Sequence, residues 1–144
     1  MSAFGPQRIV CLSTETCEVL YALGEQQRIV GISGFTVRPP QARKEKPKIG
    51  AFTSAKHDEI LALQPDLVLG YCDLQADIVA DLARAGLEVH LFNQRSITGI
   101  LAMISTLGAL VGAADRAAAL VQELEGHMAA VAAQAAALPR RPRV

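Results

Sequence analysis

Ile-Gly-Ala-Phe-Thr-Ser-Ala-Lys-His-Asp-Glu-Ile-Leu-Ala-Leu-Gln-Pro-Asp-Leu-Val-Leu-Gly-Tyr, residues 49–71, compresses a loop, a short helix and a strand into one run. Ile60, Leu61 and Leu63 give the helix an apolar face, and Pro65 stops it. Leu67-Val68-Leu69 is then unbroken apolar sequence that spills into Gly70-Tyr71-Cys72-Asp73. A strand apolar on both faces belongs to a covered parallel sheet. In such sheets ligands gather beyond the carboxyl ends of the strands, which directs attention to Phe52, Tyr71 and their neighbours.

Working outward, Arg8 to Leu12 reads as a first strand, followed by Ser13-Thr14-Glu15-Thr16, suited to a helical first turn, and a helix carrying Val19, Leu20 and Leu23. Arg28 to Ile32 is a second strand, and the segment from Ser33 to about Ser54, with Pro39, Pro40 and Pro47, is a long loop of the kind that carries function. After the third strand, Asp73 is expected to cap a helix bearing Ile78, Val79 and Leu82. Glu88 to Phe92 is the fourth strand, and Ser96 caps a helix with Ile97, Ile100, Leu101, Ile104 and Leu107. This alternation predicts an α/β lobe with a four-stranded parallel sheet flanked by helices. From Asp115 an alanine-rich stretch places Ala117, Val121, Leu124, Met128, Val131, Ala135 and Leu138 at alternating steps of four and three, one long helix. The expected organisation is a lobe over 1–114, a long helix over 115–138, and 139–144 as the start of another strand-bearing unit.

The chain has 144 residues, enough for one domain with its own core. With 51% hydrophobic residues, 19% charged and a formal net charge of +0, it is neither a disordered chain nor a broad electrostatic binder of nucleic acid or membrane. Cys11, Cys17 and Cys72 lack zinc-ligand spacing and read as small buried hydrophobes. No run reaches the roughly 20 apolar residues of a membrane span, and the first residues lack the pattern of a secretory signal.

Glycine-rich nucleotide turns, a nucleophile elbow and a His-Glu-x-x-His helix are all missing, and the three histidines are far apart in sequence. No catalytic residue, metal set or cofactor is expected. The segments after the four strands instead supply Thr14 and Glu15, Phe35, Thr36 and Arg38, Phe52, Tyr71 and Asp73, and Phe92, Asn93, Gln94 and Arg95. Aromatic faces mixed with a few hydrogen-bonding groups suit a small-molecule cleft, although Phe35, Phe52 and Phe92 would equally serve to plug the ends of the sheet.

Residues 8–24, 28–33, 38–40 and 60–69, taken in order, resemble the cobalamin and iron-siderophore class of substrate-binding proteins of ABC importers. In that family two α/β lobes are joined by a long helix and hold ligand between them, so the resemblance implies that this chain corresponds to the amino-terminal lobe and the joining helix. Carried over by position, the ligand-facing residues would be Thr14, Arg38, Phe52, Tyr71, Asn93 and Gln94, with Arg95 beside them. Arg38, Lys56 and Arg95 are candidates to meet ligand carboxylates or phosphate. The resemblance also implies docking on a membrane permease through Asp58, with Glu59 as second choice, and a periplasmic or cell-surface location. A tyrosine often stands in haem and corrinoid binders where this chain has Arg38, so haem ligation from that loop is not expected. The rival expectation is a self-associating α/β domain that dimerises through the seam of the 115–138 helix.

Overall fold

The computed structural model describes residues 5–143. Four strands, β1 (Ile9–Cys11), β2 (Ile29–Ile32), β3 (Leu67–Tyr71) and β4 (Val89–Phe92), form one parallel sheet in the order β2-β1-β3-β4. The helices between and after them are α1 (Thr14–Ala22), α2 (Ala42–Glu45), α3 (His57–Ala62), α4 (Ala76–Arg84), α5 (Ile97–Leu110) and α6 (Ala114–Ala136). The register is set by Val10 beside Val68 and by Tyr71 beside Phe92, so the carboxyl ends of β3 and β4 finish level.

Strand alternation sends successive side chains to opposite faces, and both faces are apolar. Ile9, Cys11, Leu67 and Leu69 face a layer of Leu20, Leu23, Met103 and Leu107 from α1 and α5. Val10, Leu12 and Val68 face Ile60 of α3 and Ile78 and Leu82 of α4. Burying a leucine such as Leu20 or Leu107 in this way is worth about 2 kcal/mol relative to leaving it exposed. Cys11, Cys17 and Cys72 are free thiols buried in the core, as their sparse spacing implied.

Two local expectations are corrected. Asp73 does not cap α4: a 3₁₀ turn over Asp73–Gln75 intervenes, because the chain leaves β3 through Cys72 at φ 61° and ψ 169° and must turn back before a helix can begin. The 33–54 segment is also more regular than a plain loop. It contains α2, a cis peptide between Arg38 and Pro39, and a bridge from Lys48 to Ile32 that covers the outer edge of β2. The Ser96 cap forms as its sequence suggests, its hydroxyl accepting from the Gly99 amide at 3.0 Å.

Helix α6 spans 23 residues. Its first half packs on the lobe through Ala117, Leu120, Val121 and Leu124, whereas Val131 and, beyond the helix end at Ala136, Leu138 face solvent. Gly108 permits the close crossing of α5 and α6, since a Cβ there would stand 2.3 Å from that of Ala117. A buried ion cluster fixes the root: Arg28, 4% exposed, donates to Glu25 and to the Pro6 and Val111 carbonyls, and Arg116 of α6 binds the other Glu25 oxygen.

Candidate functional site

In the order β2-β1-β3-β4 the chain first adds a strand on one side of β1 and then crosses to the other, so the switch point lies between β1 and β3. Their carboxyl ends diverge there and leave a crevice. From β1 the chain enters α1, from β3 it enters the Cys72–Gln75 turn, and from β4 it enters Asn93-Gln94-Arg95.

Gln75 holds these ends together. Its side chain is fully enclosed; Nε2 donates to the Leu12 carbonyl at 3.1 Å and to the Phe52 carbonyl at 2.8 Å, and Oε1 accepts from the Tyr71 amide at 2.9 Å. One side chain thus joins the ends of β1 and β3 to the loop carrying Phe52. Gly70 makes room for it, as a Cβ there would stand 3.1 Å from both Gln75 Oε1 and Leu91 Cδ1.

Tyr71 is the centre of the resulting surface. Its ring lies 6.4 Å from that of Phe52 in a tilted pair, and the Arg95 guanidinium carbon sits 5.6 Å from its centroid. The Tyr71 hydroxyl donates to the Gln94 carbonyl at 3.2 Å. Arg95 is in turn held by Asp73 at 3.0 Å and by the Asn93 side-chain oxygen at 2.9 Å. Together with Glu15, Ile97, Ile100 and Met103, Tyr71, Gln94 and Arg95 line an open hollow of about 670 Å³.

The predicted site residues therefore divide. Tyr71, Gln94 and Arg95 meet in the hollow, Phe52 abuts Tyr71, and Asn93 braces Arg95. Arg38 lies elsewhere, in a second hollow of about 510 Å³ with Glu18, Tyr21 and Pro39, its guanidinium 3.7 Å from the Glu18 carboxylate. Thr14 opens α1 and is partly buried. Asp58 and Glu59 are exposed on α3, with Glu59 paired to Lys56 at 3.3 Å. Phe35 is exposed and Phe92 is a core residue, so only the latter plugs the sheet. A smaller depression of about 270 Å³ at the opposite end of the sheet, by Pro6, Asp66 and Glu88, has no aromatic lining.

Sequence reasoning passed over Gln75, Ile97, Ile100 and Met103. The periodicity assigns Ile97 and Ile100 wholly to the α5 core stripe and does not single out Met103, but the helix begins at the cleft, so its first turns line the hollow. Nothing in the sequence around Gln75 distinguishes it from a polar loop residue. Among the described residues, no three histidine, cysteine or acidic side chains converge as a metal site.

The pattern described as periplasmic binding protein matches residues 9–144. The chain belongs to that family. Among its relatives, a cobalamin-binding protein of Halobacterium salinarum is 32% identical over 129 residues, covering 88% of this chain and 35% of the relative. An uncharacterised ABC transporter substrate-binding lipoprotein of Bacillus subtilis is 28% identical over 127 residues, 85% of this chain and 40% of the relative. The structure of a periplasmic haem-binding protein from Roseiflexus sp. superposes with a TM-score of 0.86 at 26% identity, covering 96% of this chain and 53% of the other. The chain thus spans roughly a third to a half of the length of the proteins it resembles. No helix among the described residues is long and apolar enough to cross a membrane.

Proposed function

We propose that this chain supplies one wall of the ligand cleft of an ABC importer's substrate-binding protein, for a corrinoid or ferric-siderophore ligand. The observation that carries this reading is the Tyr71 ring at the sheet's switch point, flanked by Phe52 and Arg95 and opening on a hollow with apolar and polar groups intermixed. A broad aromatic face binds a bulky, partly apolar guest, and the few polar groups around it fix the guest's orientation. Residues 1–114 form the ligand-facing lobe and 115–138 the joining helix. Thr14 and Arg38 extend contact along α1, and Asn93 acts through Arg95. The work is capture and release without catalysis, so no resident cofactor is needed, and iron or cobalt arrives inside the ligand. Delivery runs through α3 to a membrane permease, with Asp58 the first docking carboxylate because, among the described residues, no cation pairs with it.

One wall encloses only part of a ligand, whereas tight small-molecule sites bury about 70–90% of theirs. Calorimetric titration of the chain with cyanocobalamin and with a ferric siderophore is expected to show weak binding to one of them, lost in Tyr71→Ala. Failure of both ligands to bind, or binding that Tyr71→Ala leaves unchanged, overturns the reading.

A further inference from the structure

The Tyr71 hollow continues past its own rim. A smaller hollow of about 240 Å³ shares Glu15, Ile100 and Met103 with it, so the two meet at those side chains. Three helices wall the smaller one: Val19 and Ala22 of α1, Ile104 of α5, and Leu120 and Leu124 of α6. Its polar lining is Glu15 and Glu18, and Glu18 is already drawn to Arg38 at 3.7 Å.

Helix α5 carries the connection. Ile97 lines the larger hollow, Ile104 the smaller, and Ile100 both. Steps of three and four put these isoleucines on one face of the helix, so an apolar stripe leads from beside Arg95 to the Leu120 and Leu124 face of α6. Ile97 and Ile100 are 60% and 44% exposed at the outer part of this path, whereas Met103 and Ile104 are buried at its floor. Along α1 the lining runs from Glu15 to Ala22, two turns of helix or about 10 Å. The result is an elongated groove with aliphatic sides. Such a groove takes a flexible hydrocarbon chain, whereas a polar group laid along it would lose water without gaining partners.

We propose that this groove is a subsite for an uncharged hydrocarbon tail: the ligand's head rests on Tyr71, and a straight acyl chain runs along Ile97, Ile100 and Ile104 toward Leu124. The assignment rests on the cleft reading above and narrows its ligand class to a metal chelate that bears an acyl tail. A tail ending in a carboxylate is disfavoured, because Glu15 and Glu18 flank its path.

The test uses ferrioxamine B acylated on its terminal amine, which gives one iron chelate with tails of graded length. The acetyl, hexanoyl and decanoyl complexes are dialysed to equilibrium against the chain, and bound complex is read from its visible absorbance. Partial burial of each methylene is expected to tighten binding about twofold, so the hexanoyl complex should bind at least about tenfold more tightly than the acetyl one. The gain should level off at the decanoyl complex, whose tail outgrows the groove. Leu124→Gln and, on the exposed opposite wall, Ala22→Gln should each cut the hexanoyl advantage to less than about threefold and leave the acetyl complex's affinity within about twofold. Circular dichroism checks that both variants are folded, and Ala22→Gln carries the test should Leu124→Gln unfold. An affinity indifferent to tail length, a gain that keeps its slope through decanoyl as unspecific partitioning would, or a gain that Ala22→Gln leaves intact overturns the tail subsite while the cleft reading stands. A stable dimer in light scattering that Leu124→Gln dissociates puts a second copy in the groove and has the same effect. If cyanocobalamin binds and none of the ferrioxamines does, the subsite again falls alone. If none of these ligands binds, both fall.

Discussion

The enclosed Gln75 amide donates to the Phe52 carbonyl at 2.8 Å, so a residue of the turn after β3 sets the height of an aromatic ring in a loop 23 positions earlier. The same group reaches the Leu12 carbonyl and the Tyr71 amide, which makes it a shared support for three segments of the cleft. Gln75→Leu keeps the volume but removes every one of these bonds. Its expected cost is about 2–4 kcal/mol, because buried backbone groups lose their partners. Urea unfolding measures it, and a loss below about 0.5 kcal/mol would show that water replaces the side chain without penalty.

Cys72 occupies backbone space that L-residues other than glycine rarely enter, with φ 61° and ψ 169°. Comparing Cys72→Gly with Cys72→Ala separates this strain from the loss of the buried thiol. The glycine variant is expected to be the more stable of the two by about 1–2 kcal/mol, the reverse of the usual order within regular structure. Thermal melts of the pair decide it, and an alanine variant as stable as the glycine one removes the strain.

Burial disfavours the charged form of Glu25, but the hydrogen bonds and charges of Arg28 and Arg116 outweigh it and hold the carboxyl below its ordinary value. A carboxyl lowered by folding contributes stability above its unfolded value near about 4.3, and that contribution is lost as pH falls toward the folded value. Stability should therefore decline on acidification below about pH 5, and Glu25→Gln should flatten that part of the curve. Because Arg28 would remain buried beside a neutral partner, the variant should also lose about 3 kcal/mol near neutral pH. Urea midpoints across this pH range check both points; a variant as acid-sensitive as the native chain refutes the assignment.

The native thiols should resist alkylation. Burial pushes Cys11 far up, and burial likewise raises Cys17, to about 11, so little thiolate forms at mildly alkaline pH. Iodoacetamide should modify the native chain slowly and the urea-unfolded chain fast, as followed by mass spectrometry. Rapid labelling of Cys11 or Cys17 in the native state would contradict the core described here.

The sheet was legible because local and tertiary preferences agree: Leu67-Val68-Leu69 is apolar on both faces and is covered on both. The Ser96 cap and the onset of the long helix were readable for the same reason. Long-range polar arrangements were not. Gln75 acts through backbone groups of Leu12 and Phe52 far away in sequence, and Arg28 meets Arg116 through Glu25 only after α6 folds back on the lobe. Around the cleft, the aromatic centre at Tyr71 followed from strand ends, whereas the separation of Arg38 into another hollow depended on the path of a loop whose turns leave no periodic trace.

Helix α6 leaves the lobe after Leu124, its near half held by apolar packing and by Arg116 on Glu25 and its far half largely exposed. From there to Ala136 the rod runs about 18 Å, so it works as a short lever arm. An angular play of about 10° where the packing ends sweeps the Ala136 end through about 3 Å, roughly half the pitch of a helix. The fit of Leu120, Val121 and Leu124 against the lobe, with the ion cluster behind it, therefore sets how accurately the distal tip is aimed.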